Sequence, residues 1–248
     1  MLCSHPHLAL YELDNGSKVI WRIGMTHLLS QFRSIIFDYG GVLTFSPTDR
    51  DWQALAEIVG APLSSFHQEY WRNRDAYDMV QFDSASYWRN IATTFGRELT
   101  DDDVRRLVDL DNQQWGRPNP NSVAMVRTAR TTGLKVAVLS NIQFDMLSFV
   151  RKNHLWFSEF DVQVFSCELR IAKPSSGIFL HTAKLLGVHP TEALFIDDRQ
   201  PNIDGAERVG MKTMLFESPD SSRELAKLLL NSEIPPKNAD GRFYRSQG

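Results

Sequence analysis

Asp38 closes an uninterrupted apolar run, Ile35-Ile36-Phe37, and is followed at once by Tyr39 and the pair Gly40-Gly41. A short continuous apolar run reads as a strand buried in a parallel sheet, and in open α/β sheets ligands gather beyond the carboxyl ends of such strands. Asp38 therefore projects where a ligand would sit. The arrangement recurs twice: Ala193-Leu194-Phe195-Ile196 runs into Asp197-Asp198, and Val136-Ala137-Val138-Leu139 runs into Ser140-Asn141. Three strand ends thus carry groups suited to a cation or a phosphate. One such ending would mean little, because a lone carboxylate after a strand is more often solvated or capping a loop.

The elements that would hold these ends alternate along the chain. After Pro118 and Pro120 the pattern predicts a helix with Val123 and Val126 inward, a strand at Leu134 to Leu139, a helix over Phe144 to Val150 and a strand at Val162 to Phe165. A helix over Ser176 to Leu186, the strand Ala193 to Ile196, a helix over Ile203 to Val209, a strand Thr213 to Phe216 and a helix carrying Leu225, Leu228 and Leu229 complete it. Strands alternating with helices imply parallel pairing, hence an α/β fold: a three-layer, Rossmann-like parallel sheet. Between Ser46 and Gly116 the character changes to amphipathic, aromatic-rich helices, with Thr100 as an N-cap ahead of Asp101, Asp102 and Asp103. The division expected is an N-terminal extension at 1–33, an α/β core at 34–47 and 118–231, an inserted helical segment at 48–117 and a loose tail at 232–248. Within the extension, Leu8 to Leu13 and Lys18 to Trp21 around Asp14-Asn15-Gly16 suit a hairpin, and Met25 is a plausible start for the main domain.

Composition excludes several classes of function. With 248 residues and 42% hydrophobic content the chain can bury a full core. A net charge of -3 without a Lys/Arg block provides no grip on nucleic-acid phosphates. Two cysteines, Cys3 and Cys167, offer neither a disulfide framework nor metal-type spacing, as expected of a cytoplasmic protein. No apolar stretch approaches membrane-spanning length, and no secretory signal is evident.

Four motifs occur in order: Phe37-Asp38-Tyr39-Gly40-Gly41-Val42-Leu43; Leu139-Ser140-Asn141; Lys173-Pro174 followed by Ile178-Phe179; and Phe195-Ile196-Asp197-Asp198 with Asn202. Together they resemble the haloacid dehalogenase superfamily, in its phosphatase-rich branch with a helical cap inserted after the first strand. The resemblance runs from about Ser34 to Asn231. It implies that Asp38 attacks phosphorus and forms an aspartyl-phosphate that water then hydrolyses. It implies Mg²⁺ held by the Asp38 carboxylate, the Gly40 carbonyl and Asp198, with Asp197 in support; three acids brought together without a cation would raise at least one pKa. Ser140 and Asn141 would contact phosphate, Lys173 would supply charge to nucleophile and phosphoryl oxygens, and Asn202 would orient Lys173 or the acidic pair. Arg199 could reach the active site, but a surface role is the favoured reading.

One departure stands out. The family's phosphatases carry a second Asp two residues after the nucleophile, which protonates the leaving group; here that position is Gly40. A positioned acid is worth roughly 10²–10⁴-fold in rate, so the expected substrate is a small phosphorylated metabolite with a good leaving group, such as a sugar 1-phosphate or an acyl or aryl phosphate. The cap would choose it, with Arg72, Arg74, Asp75 and Asp78 as candidate contacts, Arg74 foremost, and any of them or none replacing the acid. His67 is read as a surface or packed residue. The competing readings are a metal-independent 2-haloacid dehalogenase, disfavoured by Asp197-Asp198, and a catalytically degenerate binding protein. A monomer or homodimer is expected.

Overall fold

The computed structural model describes residues 32–217 together with Ser221 and Leu225. The expected N-terminal hairpin and Met25, the tail, and Leu228 and Leu229 lie outside the described residues. The elements are β1 (Ser34–Phe37), then α1 (Asp49–Val59), α2 (Leu63–Arg72), α3 (Arg74–Asp78), α4 (Ser84–Thr94), α5 (Asp101–Trp115) and α6 (Pro120–Thr131). Next come β2 (Lys135–Ser140), α7 (Phe144–Asn153), β3 (Val162–Phe165), α8 (Ser166–Leu169), α9 (Ser176–Leu186), β4 (Ala193–Asp197), α10 (Gln200–Glu207) and β5 (Lys212–Leu215). The five strands pair in parallel in the order β3-β2-β1-β4-β5.

Strand alternation divides the core into two faces. Ile35 and Phe37, Val136 and Val138, and Leu194 and Ile196 point to one face and pack with Met125 and Val126 of α6 and Leu147 and Val150 of α7. Ile36, Ala137, Leu139, Ala193 and Phe195 point to the other and meet Ile178 and Phe179 of α9 and Ile203 and Ala206 of α10. Each fully buried Leu, Ile or Phe contributes roughly 1.5–3 kcal/mol, which makes the three layers one cooperative unit. Phe32 and Arg33, assigned from sequence to the N-terminal extension, already belong to this unit. Phe32 is buried in the first face, while the Arg33 N–H donates to the Glu192 carbonyl at 2.8 Å and its carbonyl accepts from Lys135 N–H at 3.0 Å. Leu225 is buried on the same face.

Helices α1 to α5 build a separate apolar cluster, with Trp88, Tyr70, Phe66 and Leu55 at its centre. Capping boxes start α1 (Thr48 with Asp51) and α5 (Thr100 with Asp103), each satisfying two otherwise orphaned N–H groups. The chain leaves and re-enters the sheet side by side: Phe45 N–H donates to Arg117 carbonyl and Asn119 N–H to Leu43 carbonyl, both at 2.9 Å. Arg117 adds a two-pronged bond to Asp51 at 3.2 and 2.6 Å. Two short segments escaped the sequence reading, α3 and α8, because neither is long enough to show a period.

Because β1 is central, Asp38 emerges between the ends of β2 and β4; Phe37 is in register with Val138 and with Ile196. Loop packing then adds the lysine. In α10, Gly205 allows the helix to lie against the Lys173-Pro174 segment: a Cβ there would stand 2.7 Å from the Pro174 carbonyl and 2.9 Å from the Phe179 ring. Gly205→Ala gains about 1 kcal/mol of helix propensity but incurs an overpacking cost of about 1–3 kcal/mol against an unyielding backbone carbonyl. A net loss of about 1 kcal/mol is expected in urea unfolding; unchanged or raised stability would contradict this packing argument.

Candidate active site

The Lys173 ammonium is buried between two carboxylates, 2.7 Å from Asp38 Oδ1 and 2.6 Å from Asp197 Oδ2. Burial alone would depress its pKa, yet Asp197 and Asp38 outweigh that and raise it, so the lysine is charged. Asp197 is saturated: besides Lys173 it accepts from the Asn202 amide at 2.9 and 3.1 Å and from the Arg199 N–H at 2.9 Å. Of the two orienting roles expected for Asn202, it performs the one on the acidic pair. Asp38 is less fully occupied. Its Oδ1 meets Lys173 and the Tyr39 N–H (2.7 Å), and Oδ2 has no hydrogen bond among the described residues.

Asp198 completes the group, since Asp38, Asp197 and Asp198 each bring an oxygen to within 4.8 Å of the others. At such separations a pair of carboxylates repels by about 3–4 kcal/mol at an effective dielectric near 20, and one lysine offsets only part of this. Accordingly Asp38 is held well above the usual carboxylate range, by burial first and by Asp197 and Asp198 in addition, with Lys173 pulling the other way. Asp198 is pushed up to about 6 by burial and by Asp197. Asp38 and Asp198 are thus the two whose nearby cations do not outweigh burial and mutual repulsion, and a hard, oxygen-seeking divalent cation would supply the further positive charge. The donor set therefore fits Mg²⁺.

The loop after β1 is shaped around this group. Gly41 has φ +75°, and a Cβ on it would lie 2.2 Å from Asp198 Oδ2, so only glycine lets the carboxylate approach. At Gly40 a Cβ would stand 3.3 Å from the six-membered ring of Trp115. Trp115, at the end of α5, packs on both the sheet core and the helical cluster and donates its indole N–H to the Tyr70 hydroxyl at 2.9 Å. Any side chain at position 40 would press on that ring, which would have to give slightly.

The other sequence candidates divide. Ser140 is buried at the end of β2, its hydroxyl 3.4 Å from the Asn141 carbonyl. Asn141 clasps the backbone of Lys173, its amide donating to the Lys173 carbonyl (2.9 Å) and its side-chain oxygen accepting the Lys173 N–H (2.8 Å). Its side chain thus positions the lysine, while the phosphate donors expected here are the Ser140 hydroxyl and a backbone N–H. Arg74, also expected to meet phosphate, is instead an internal tie. It donates to Asp78 (3.0 Å), Asp111 (3.0 Å), Gln143 (2.9 Å) and the Tyr70 hydroxyl, four of its five N–H groups. Asp75 and Arg72 have exposed side chains or surroundings, Arg72 pairing with Glu69 at 2.6 Å. His67 packs edge-on against Trp52. Sequence reasoning missed Trp115, Asp111 and Gln143: each is an ordinary helical or loop residue until the two clusters are brought together.

Three carboxylates and a lysine gathered at the carboxyl rim of a five-stranded parallel sheet, beside a helical cluster, are the arrangement of an α/β-fold hydrolase. The model of haloacid dehalogenase-like hydrolases matches residues 32–210, and the chain belongs to that family. Relatives include the phosphatase MT3486 of Mycobacterium tuberculosis, 28% identical over 77% of this chain and 90% of its own length. Mouse acyl-CoA dehydrogenase family member 10 is 29% identical over 80% of this chain, which spans only 19% of that longer protein. Among solved structures, the L-2-haloacid dehalogenase of Xanthobacter autotrophicus with chloropropionic acid covalently bound matches at TM-score 0.59 and 21% identity, over 83% of this chain and 85% of its own. That likeness is one of fold. No described helix is long and apolar enough to cross a membrane.

The buried tie beneath the helical cluster titrates. Asp78 is pushed up to about 6 by burial, against the pull of Arg74. A carboxyl with a raised folded pKa binds its proton more tightly in the native state, so stability is lost as pH rises from about 4 through about 6. Asp78→Asn should flatten that fall by an amount on the order of 2 kcal/mol, read as the difference between the two proteins in urea unfolding across this window. Parallel curves would show that Asp78 does not carry the titration.

Proposed function

We propose that the chain is a phosphatase of small phosphorylated metabolites that works through an aspartyl-phosphate on Asp38. The observation that carries this reading is the unequal occupation of the three acids. Asp197 is saturated by Lys173, Asn202 and the Arg199 N–H, while Asp38 Oδ2 and Asp198 keep free oxygens in a site with surplus negative charge. A dehalogenase that attacks carbon has no need of a cation and gains nothing from that surplus. Relatives named phosphatases, among them the mycobacterial protein, favour the same side.

Mg²⁺, held by Asp38, the Gly40 carbonyl and Asp198, would neutralise the charge shared by carboxylates and phosphoryl oxygens. Lys173 holds Asp38 Oδ1 by a charge-assisted bond, leaving Oδ2 to attack phosphorus in line with the departing oxygen. The same ammonium meets the charge that spreads onto the phosphoryl oxygens, and Asn141 keeps it there through the two bonds to its backbone. Ser140 and backbone N–H groups after β2 are the phosphate donors. Asp197 and Asn202 fix the lysine. Helices α1 to α5, residues 48–117 with their linkers, act as the cap over the core at 34–47 and 118–231, excluding water from the phosphoryl group.

Asp38→Asn should lower phosphatase turnover by at least about 10³-fold, and a chelator should abolish it reversibly on return of Mg²⁺. Full-length protein incubated with phosphorylated metabolites and aryl phosphates, and in parallel with 2-chloropropionate, decides between the two chemistries. Chloride release without metal, or phosphate release that survives Asp38→Asn, would overturn the reading.

A further inference from the structure

Arg199 follows the acidic pair directly, and its charge acts on the neighbouring Asp198 without a direct ion pair among the described residues. Its backbone N–H is bound to Asp197, but among the described residues its guanidinium makes no ion pair or hydrogen bond; it lies over the Trp71 ring, 5.5 Å from the centroid. Lys173 and Arg74, in contrast, are buried and each is paired with two carboxylates. Trp71 packs edge-on against Trp115 at 6.1 Å, and Trp115 covers Gly40. A chain of neighbours, Gly40, Trp115, Trp71 and Arg199, therefore links the loop that carries Asp38 to the residue beside Asp198.

Direction matters for an in-line displacement. Asp38 lies at the sheet rim, so a leaving oxygen departs away from the sheet, toward the helices that supply Trp71 and Trp115. No acid stands at position 40 to protonate it, and the Trp115 ring packs against that position. An exposed cation–π contact holds a guanidinium by only about the energy of a weak hydrogen bond, whereas a bond from that guanidinium to a developing anion is considerably stronger. Arg199 can therefore leave the Trp71 face for an anion at little cost.

Resting on the phosphatase reading above, we propose that Arg199 is a catalytic residue that stabilises the departing oxygen in place of the absent acid, with Trp71 holding it ready on the leaving-group side. As the bond from Asp38 Oδ2 to phosphorus forms, the bond from phosphorus to the leaving oxygen breaks; the oxygen keeps the electron pair and accepts N–H donation from Arg199. Water protonates it after release, and a second water hydrolyses the aspartyl-phosphate, returning the Asp38 carboxylate and phosphate. Stabilisation by hydrogen bonding without proton transfer serves leaving groups that tolerate negative charge, which narrows the substrate class to aryl, acyl and enol phosphates over alkyl ones.

The test is the dependence of kcat/KM on leaving-group acidity across dinitrophenyl, nitrophenyl, chlorophenyl and phenyl phosphates at saturating Mg²⁺. Arg199→Gln should lose about 10- to 100-fold on phenyl phosphate and little on dinitrophenyl phosphate, steepening the dependence, and Arg199→Lys should recover part of it. An equal loss across the series, or none, would overturn the proposal, since a role in folding or metal retention falls on all substrates alike. If the wild-type protein turns over no aryl phosphate in an Asp38-dependent way, the phosphatase reading fails and this one with it. Asp38-dependent turnover with an unaltered slope in Arg199→Gln overturns this one alone.

Discussion

One buried lysine between two carboxylates, with a third carboxylate inside 5 Å, is the constraint on which the site depends. Burial, together with the crowding of acids around a single ammonium, raises the pKa values of Asp38 and Asp198. The protein has resolved that crowding unequally. Asp197 has both oxygens occupied by Lys173, Asn202 and the Arg199 N–H, whereas the donors to Asp38 all fall on Oδ1 and leave Oδ2 unused among the described residues. That asymmetry distinguishes an acid that serves as scaffold from acids available to ligands.

Much of the surrounding fold can be understood as serving that approach. Gly41 gives Asp198 room; Gly205 brings α10, and with it Asn202, against the loop that carries Lys173; Asn141 reaches from the end of β2 to the Lys173 backbone. Each of these is a close contact between segments far apart in sequence, so the site is as rigid as the packing of the sheet that underlies it. The helical cluster joins through a different kind of bond. Arg74, Asp78, Asp111, Tyr70 and Gln143 form a buried polar tie, and Trp115 belongs to both apolar clusters. Removing one partner from such a tie leaves a buried charge unpaired, which costs more than the pair itself contributes.

The likeness to a dehalogenase fold and to proteins named phosphatases illustrates why fold and chemistry must be argued separately. In the mechanism proposed above, the aspartate at the end of the central strand is a nucleophile that could in principle attack carbon or phosphorus. What separates attack on carbon from attack on phosphorus is the charge inventory around that aspartate, and here the inventory is in excess of what one lysine balances.

Local pattern alone was enough to reveal the strands, most helices and the acids at the strand ends. Continuous apolar runs and helical periodicity act over a few residues, and a carboxylate placed after a buried strand has only one side of the sheet to face. The caps at Thr48 and Thr100 likewise act within one turn. The roles of Arg74, Asn141, Trp115 and Arg199 followed different physics. A charged or aromatic side chain is defined by its nearest partner, and those partners, Asp111 for Arg74, Lys173 for Asn141, Gly40 for Trp115 and Trp71 for Arg199, lie tens of residues away or more and meet only after the chain has folded. Sequence by itself thus determined which groups reach the rim of the sheet, because strand geometry is local. Only the tertiary structure decided which of them are already engaged and which remain free, because that depends on packing between distant segments.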